Sequence, residues 1–184
     1  AYGIRLASDN SNRGTNIVLT NNTISTHQTG IYLSYLESTE VSGNEISDVN
    51  GQGIYLYDSD GAHQINGNSI LSAATDYGIR LEYCNGSVLG GNALIANNFV
   101  RAERYGISTY GTSYLDMIHN TVATTGNGSN YAAFYLGGSN SNFRTVNNIF
   151  ANDGGGYAFY IESAGALIQH DYNAYYAPGN WLGK

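Results

Sequence analysis

Asp58, Asp60 and Glu82 fall within about one repeat length of each other, and these carboxylates are the side chains in this 184-residue chain best placed to do chemistry. Two carboxyl groups roughly 5–10 Å apart can cleave a glycosidic bond, one acting as acid and the other as base or nucleophile. Nothing in the flanking residues marks them for that task, and Glu82 beside Arg80 equally suits a surface ion pair of little energetic worth. They are the only catalytic candidates, and no catalytic residue is assigned. The run Asp58-Ser-Asp-Gly61 superficially resembles a calcium loop but lacks the further ligands and terminal Glu of an EF-hand. Ca2+ at this run is the single cation the sequence leaves open; otherwise no cofactor is expected. His27, His63, His119 and His170 are scattered, none at zinc-ligand spacing with Cys84 or a third ligand, so no metal site is assigned. No Ser/His/Asp order emerges, and no Gly-rich loop precedes a helix.

The elements that would position these residues are repeats. A small residue followed by an apolar residue, any residue and usually another apolar residue recurs as GIRL at Gly3, GIYL at Gly30 and Gly53, GIRL at Gly78, GIST at Gly106, AFYL at Ala133 and AFYI at Ala158. The intervals are 27, 23, 25, 28, 27 and 25 residues, a period that marks stacked units. In an extended strand the apolar residues one and three places after the small residue face inward, so those two and four places after it face solvent. The first outward column is Arg5, Tyr32, Tyr55, Arg80, Ser108, Tyr135 and Tyr160; the second is Ala7, Ser34, Tyr57, Glu82, Tyr110, Gly137 and Glu162. Tyr offers a ring that can lie on a sugar face and a hydroxyl that can bond its edge. Arg5, Tyr32, Tyr55, Tyr57, Arg80, Tyr110, Tyr135 and Tyr160 are therefore the candidate ligand-binding residues, for an extended polysaccharide. The same rings could equally do no more than stabilise the sheet through neighbour contacts.

A second ladder runs between the first. Asn22, Asn44, Asn68, Asn98, Asn120 and Asn148 are each followed two places on by Ile24, Ile46, Ile70, Val100, Val122 or Phe150. Three places before them stand Leu19, Val41, Ile65, Ile95 and Met117, with Thr145 as the exception; Asn173 followed by Tyr175 reads as a degenerate seventh copy. The Asn column suits sharp corners, because Asn tolerates left-handed backbone and stacked amides can bond from coil to coil. His119 aligns with Asn21, Gly43, Gly67, Asn97 and Asn147, which makes it a corner substitution. Each unit holds about three short apolar-alternating runs parted by Asn/Gly/Ser turns, and no stretch keeps helical spacing beyond a turn. The predicted fold is all-β: a single-stranded right-handed parallel β-helix solenoid of about seven coils, ~34 Å long. A unit this small cannot bury its own apolar face and must stack on its neighbours.

The GIxL and NxI units resemble the right-handed parallel β-helix repeat proteins of the pectin-lyase-like superfamily, of the secreted bacterial type. The run HDYNAYYAPGN, His170 to Asn180, is similar to the segment that closes a coil in many of them. The resemblance covers essentially the whole chain and implies fold more than function, since the superfamily hosts lyases, hydrolases, epimerases, tailspikes and adhesins. Its catalytic signatures are missing here: the Asp-Asp, Gly-His-Gly and Arg-x-Lys runs of the polygalacturonase-like members, the Arg-x-Pro-x-x-Arg of the pectate-lyase-like ones (Pro178 is the only Pro), and the Asp-Pro-His-Asp of the alginate epimerases.

Seven basic against fourteen acidic residues give a net charge of −7, which argues against nucleic acid and anionic membrane surfaces as partners. No apolar run is long enough to span a bilayer. Cys84 is the only cysteine, so no internal disulfide forms and a buried thiol is its expected state. Residues 1–184 form one domain, expected to be a fragment of a longer protein whose flanking domains are partners. The expected location is extracellular or cell surface. The functional expectation is a non-catalytic module, a rigid stalk or adhesin-like domain that binds a polysaccharide or cell-surface glycan on its Tyr/Arg sheet. The alternative is part of a polysaccharide lyase, glycosidase or epimerase, and a third reading is a purely structural spacer.

Overall fold

A computed structural model describes residues 1–86, 91–162, 164–179 and 182–184. The chain winds as a parallel β-solenoid whose wall is three sheets of seven strands each. The first sheet runs from Tyr2–Ala7 through Gln52–Tyr57 to Tyr157–Ile161. The second runs from Val18–Thr20 to Leu167–Asp171, and the third from Thr23–Ser25 to Ala174–Tyr176. Every pairing within these sheets is parallel and joins one coil to the next. A short 3-10 turn lies at Ala164–Ala166. The all-β solenoid of about seven coils expected from the repeats is the fold. Asn180 and Trp181, at the end of the closing segment, lie outside the described residues; beyond them Leu182–Lys184 returns to the first sheet, where the Lys184 amide donates to the Phe159 carbonyl at 3.2 Å.

Like residues stack on like. Ile4, Ile31, Ile54, Ile79, Ile107, Phe134 and Phe159 form one inward column, in register from coil to coil. The central members are fully buried, and each fully buried aliphatic side chain contributes about 1.5–3 kcal/mol. Thr145, the exception in the second sheet, also points inward and is fully buried; its hydroxyl bonds His170 Nδ1, the next rung of the same column, at 2.5 Å.

The small-residue ladder exists because another sheet presses on it. A Cβ at Gly53 would lie 2.6 Å from Ile70 Cγ2, and one at Gly78 would lie 2.2 Å from Val100 Cγ1. This position and the next both face the core, so the in/out alternation slips by one residue there. The residue before the ladder consequently reaches the outer surface at Tyr2, Gln52, Tyr77, Tyr105 and Tyr157, while the smaller Thr29 and Ala132 are buried there.

The Asn corner divides its labour between two residues. The left-handed backbone belongs to the residue before each ladder Asn: Asn21, Gly43, Gly67, Asn97, His119, Asn147 and Tyr172 have φ of 54–64°. The sequence reading gave that conformation to the ladder Asn itself; instead, the ladder Asn supplies the hydrogen bonds. Each side-chain amide donates to the carboxamide oxygen of the next coil at 2.9–3.0 Å, from Asn22 to Asn173. That oxygen also accepts the backbone N–H of the Asn below it. His119 sits at the corner, as its alignment implied.

Candidate functional site

The outer surface of the first sheet carries the candidate residues in two lines. Along the flat of the sheet, Tyr32 and Tyr55 meet at 5.3 Å between ring centroids, and Tyr135 and Tyr160 at 5.5 Å. Arg5 lies 5.7 Å from the rings of both Tyr2 and Tyr32. Arg80 lies 4.3 Å from the Tyr77 ring centre and 5.1 Å from that of Tyr55, a cation–π arrangement on both sides. Along the corner, Tyr35, Tyr57, Tyr83 and Tyr110 form a chain of edge-to-face contacts at 5.8–6.0 Å. Tyr55 and Tyr57, 6.3 Å apart, join the two lines. Tyr110 thus belongs to the corner line and not with Tyr32 and Tyr55. Ser34 and Ser108, also outward in register, are buried among their longer neighbours.

The sequence reading missed several members. Tyr2, Tyr77, Tyr105 and Tyr157 stand just before the small-residue ladder, where strict alternation would turn them inward; the slip at the ladder puts them outside. Tyr77 and Tyr105 stack at 4.9 Å with their planes 16° apart. Tyr35 and Tyr83 hold left-handed backbone at the corner, φ 55° each, which alternation cannot foresee. Aligning the chain one place before and five places after the ladder would have exposed both sets.

The carboxylates are brought to one corner, and each is already partnered. Arg13, in the first coil, places Nη2 at 2.7 Å from Asp58 Oδ1 and 3.4 Å from Asp60 Oδ2, while Nη1 donates to the Asp58 carbonyl oxygen. Glu82 pairs through one oxygen with Arg80 and accepts the Tyr55 hydroxyl proton on the other. Burial, reinforced by this bond to Glu82, raises the Tyr55 pKa far above its usual value. Burial and a hydrogen bond to Glu162 raise Tyr135 likewise. The Tyr55 and Tyr135 phenols are therefore neutral hydrogen-bonding groups at physiological pH.

Cys84 is buried, as expected, and serves as a rung in a corner ladder with Ser59, Thr112 and Asn140. Ser59 Oγ accepts the Leu36 amide, Thr112 Oγ1 accepts the Cys84 amide and Asn140 Oδ1 accepts the Thr112 amide. Burial pushes the Cys84 thiol up to about 12. Two clefts, of about 410 Å³ between Gly3 and His27 and about 290 Å³ between Thr23 and Leu71, involve the third sheet and lie off the tyrosine face.

A solenoid of stacked parallel coils with a tyrosine-rich outer sheet defines a parallel β-helix protein of the pectin-lyase-like kind. Residues 2–101, the first four coils, match the family model described as "Periplasmic copper-binding protein (NosD)", and the chain belongs to that family. It is a periplasmic family, which fits an exported β-helix module. The chain matches no curated protein and no solved structure.

The family description corrects the expectation of no cofactor beyond a possible Ca2+, because it names copper. The calcium reading of Asp58–Gly61 also meets the Arg13 guanidinium, which sits on both carboxylates. Copper favours thiolate, thioether and imidazole ligands. Among the described residues no group of three or more His, Cys, Asp or Glu could hold a metal. The cysteine and the histidines stand in different coils and do not converge: the Cys84 thiol lies 3.4 Å from the Glu82 carbonyl oxygen, His170 is held between the Thr145 and Tyr175 hydroxyls, His119 contacts Asn147, and His63 accepts the Thr39 amide on Nδ1 while its buried Nε2 has no described partner. The described residues do not fit a copper centre.

Proposed function

We propose that this chain is a non-catalytic module of an exported protein that binds a polysaccharide or cell-surface glycan on the outer surface of its first sheet. The observation that carries this reading is the continuous array of half-buried and exposed tyrosines across successive coils, interleaved with Arg5 and Arg80. In the stacked pair Tyr77–Tyr105 the facing ring surfaces cover each other, leaving edges and hydroxyls for a ligand. The rigid rod presents this array at a fixed spacing, as a stalk or adhesin-like domain requires. Asp58, Asp60 and Glu82, the carboxylates on which the enzymatic alternative would rest, are each held by an arginine.

The test is retention on a glycan array, followed by an assay for cleavage of any bound glycan. The triple variant Tyr32→Ser, Tyr55→Ser, Tyr57→Ser is expected to lose retention while its thermal midpoint stays close to the parent's. Retention by the variant would overturn the platform. Turnover of a bound glycan would move the function to Asp58, Asp60 and Glu82.

A further inference from the structure

The charges on the tyrosine face bear on what kind of glycan it takes, a question that rests on the binding role proposed above. Recognition of an acidic sugar needs a cation whose hydrogen bonds are free for the ligand carboxylate. Other than Arg5, the arginines on or beside this face are each paired with a carboxylate of the protein. Arg80 is paired with Glu82, Arg13 with Asp58 and Asp60, and Arg104 Nε bonds Asp76 Oδ1 at 3.0 Å. Glu162 is occupied too, accepting the Tyr135 hydroxyl and the Gly138 amide at 2.7 Å each. The two cations of this face without a described carboxylate partner, Arg5 and Lys184, stand at opposite ends of the rod, each over a tyrosine ring. Between them carboxylates outnumber cations, since Arg13 serves two aspartates and Glu162 has only neutral partners, and the chain as a whole carries −7, which repels a polyanion at low ionic strength.

What the middle of the face does offer is uncharged. Phenol hydroxyls both donate and accept, as sugar hydroxyls do. The rings that carry them stand 4.9 Å apart for Tyr77 and Tyr105 and 5.1 Å for Tyr105 and Tyr135 in the central coils, with 5.3 Å and 5.5 Å for Tyr32–Tyr55 and Tyr135–Tyr160 on either side, close to the length of one pyranose unit in an extended chain.

We infer that the ligand of this face is a neutral, diol-bearing glycan lying along the solenoid axis over the central coils, and not a polyuronate. The test is calorimetric titration of the full chain with neutral hexasaccharides (gluco-, xylo- and manno-oligomers) and with galacturonate and mannuronate hexamers, each at low and high NaCl. The expected result is binding of a neutral oligomer with an affinity that changes less than about twofold with salt, because no charged pair is formed. The Tyr32→Ser, Tyr55→Ser double variant should weaken it at least about tenfold. Tighter binding of a uronate hexamer that falls as salt rises would overturn this inference and leave the glycan-binding role standing. Binding of neither series would overturn both.

Discussion

The Asn corner and the tyrosine face are both columns with one member per coil, yet they are built on opposite terms. At the corner the residue type is invariant through the middle of the rod, the side chains are buried, and each rung is bonded to the next in the same way. On the face the residue changes from coil to coil, the rings are partly exposed, and their mutual geometry runs from stacked to perpendicular. A repeated structural need fixes one solution, since any departure would leave buried polar groups unpaired. A surface in water carries no such penalty, so its sequence is open to selection for a ligand.

The sharpest way to break this comparison is Asn98→Ala. It removes the acceptor of the Asn68 amides and the donor to the Ile65 carbonyl and Asn120, leaving several buried groups unsatisfied. A loss of about 3 kcal/mol is expected in chemical denaturation, against little change for single tyrosine replacements on the face. A loss under 1 kcal/mol would mean the ladder is no more structural than the face.

Arg13→Ala comes next, at about 1–2 kcal/mol, because it leaves Asp58 and Asp60 side by side without their cation. The same denaturation measurement checks it, and a loss under about 0.5 kcal/mol would mean that the pairing is an ordinary surface contact.

Acid should also weaken the fold through the buried imidazoles. Burial lowers the pKa of His63 and His170, so the folded state holds them neutral. As pH falls below about 6.5, the unfolded chain takes up these protons first. Their stabilising contribution is therefore fully present above that pH and is lost progressively as pH drops toward the folded values. Denaturation between pH 8 and 5 should show this slope, and His170→Gln should reduce it.

The smallest effect is expected for His119→Asn, within about 0.5 kcal/mol, since Asn accepts the left-handed corner that His119 occupies with φ 58°. A large loss would show that His119 does more than turn the chain.

The repeats made the solenoid legible because each coil meets the same neighbours, so its inward residues must recur: the Ile, Leu and Asn columns could be aligned without coordinates. The candidate face was legible only in part. Tyr32, Tyr55, Tyr135 and Tyr160 followed from alternation, but Tyr77 and Tyr105 did not. The slip that exposes them comes from Ile70- and Val100-type side chains pressing on the glycine ladder from another sheet. Arg13 was invisible as a partner of Asp58 because 45 residues separate them, and nothing local in either segment announces the contact.

The sequence by itself determined the class of fold, the composition of its core columns and the residues at its corners, since these follow from periodicity that every coil must satisfy. The tertiary structure alone decided which residue at each corner bends and which one bonds, which tyrosines reach the surface, and that the carboxylates are paired with arginines in place. Those outcomes depend on contacts between coils and between sheets, where packing and charge pairing act across distances that no local pattern encodes.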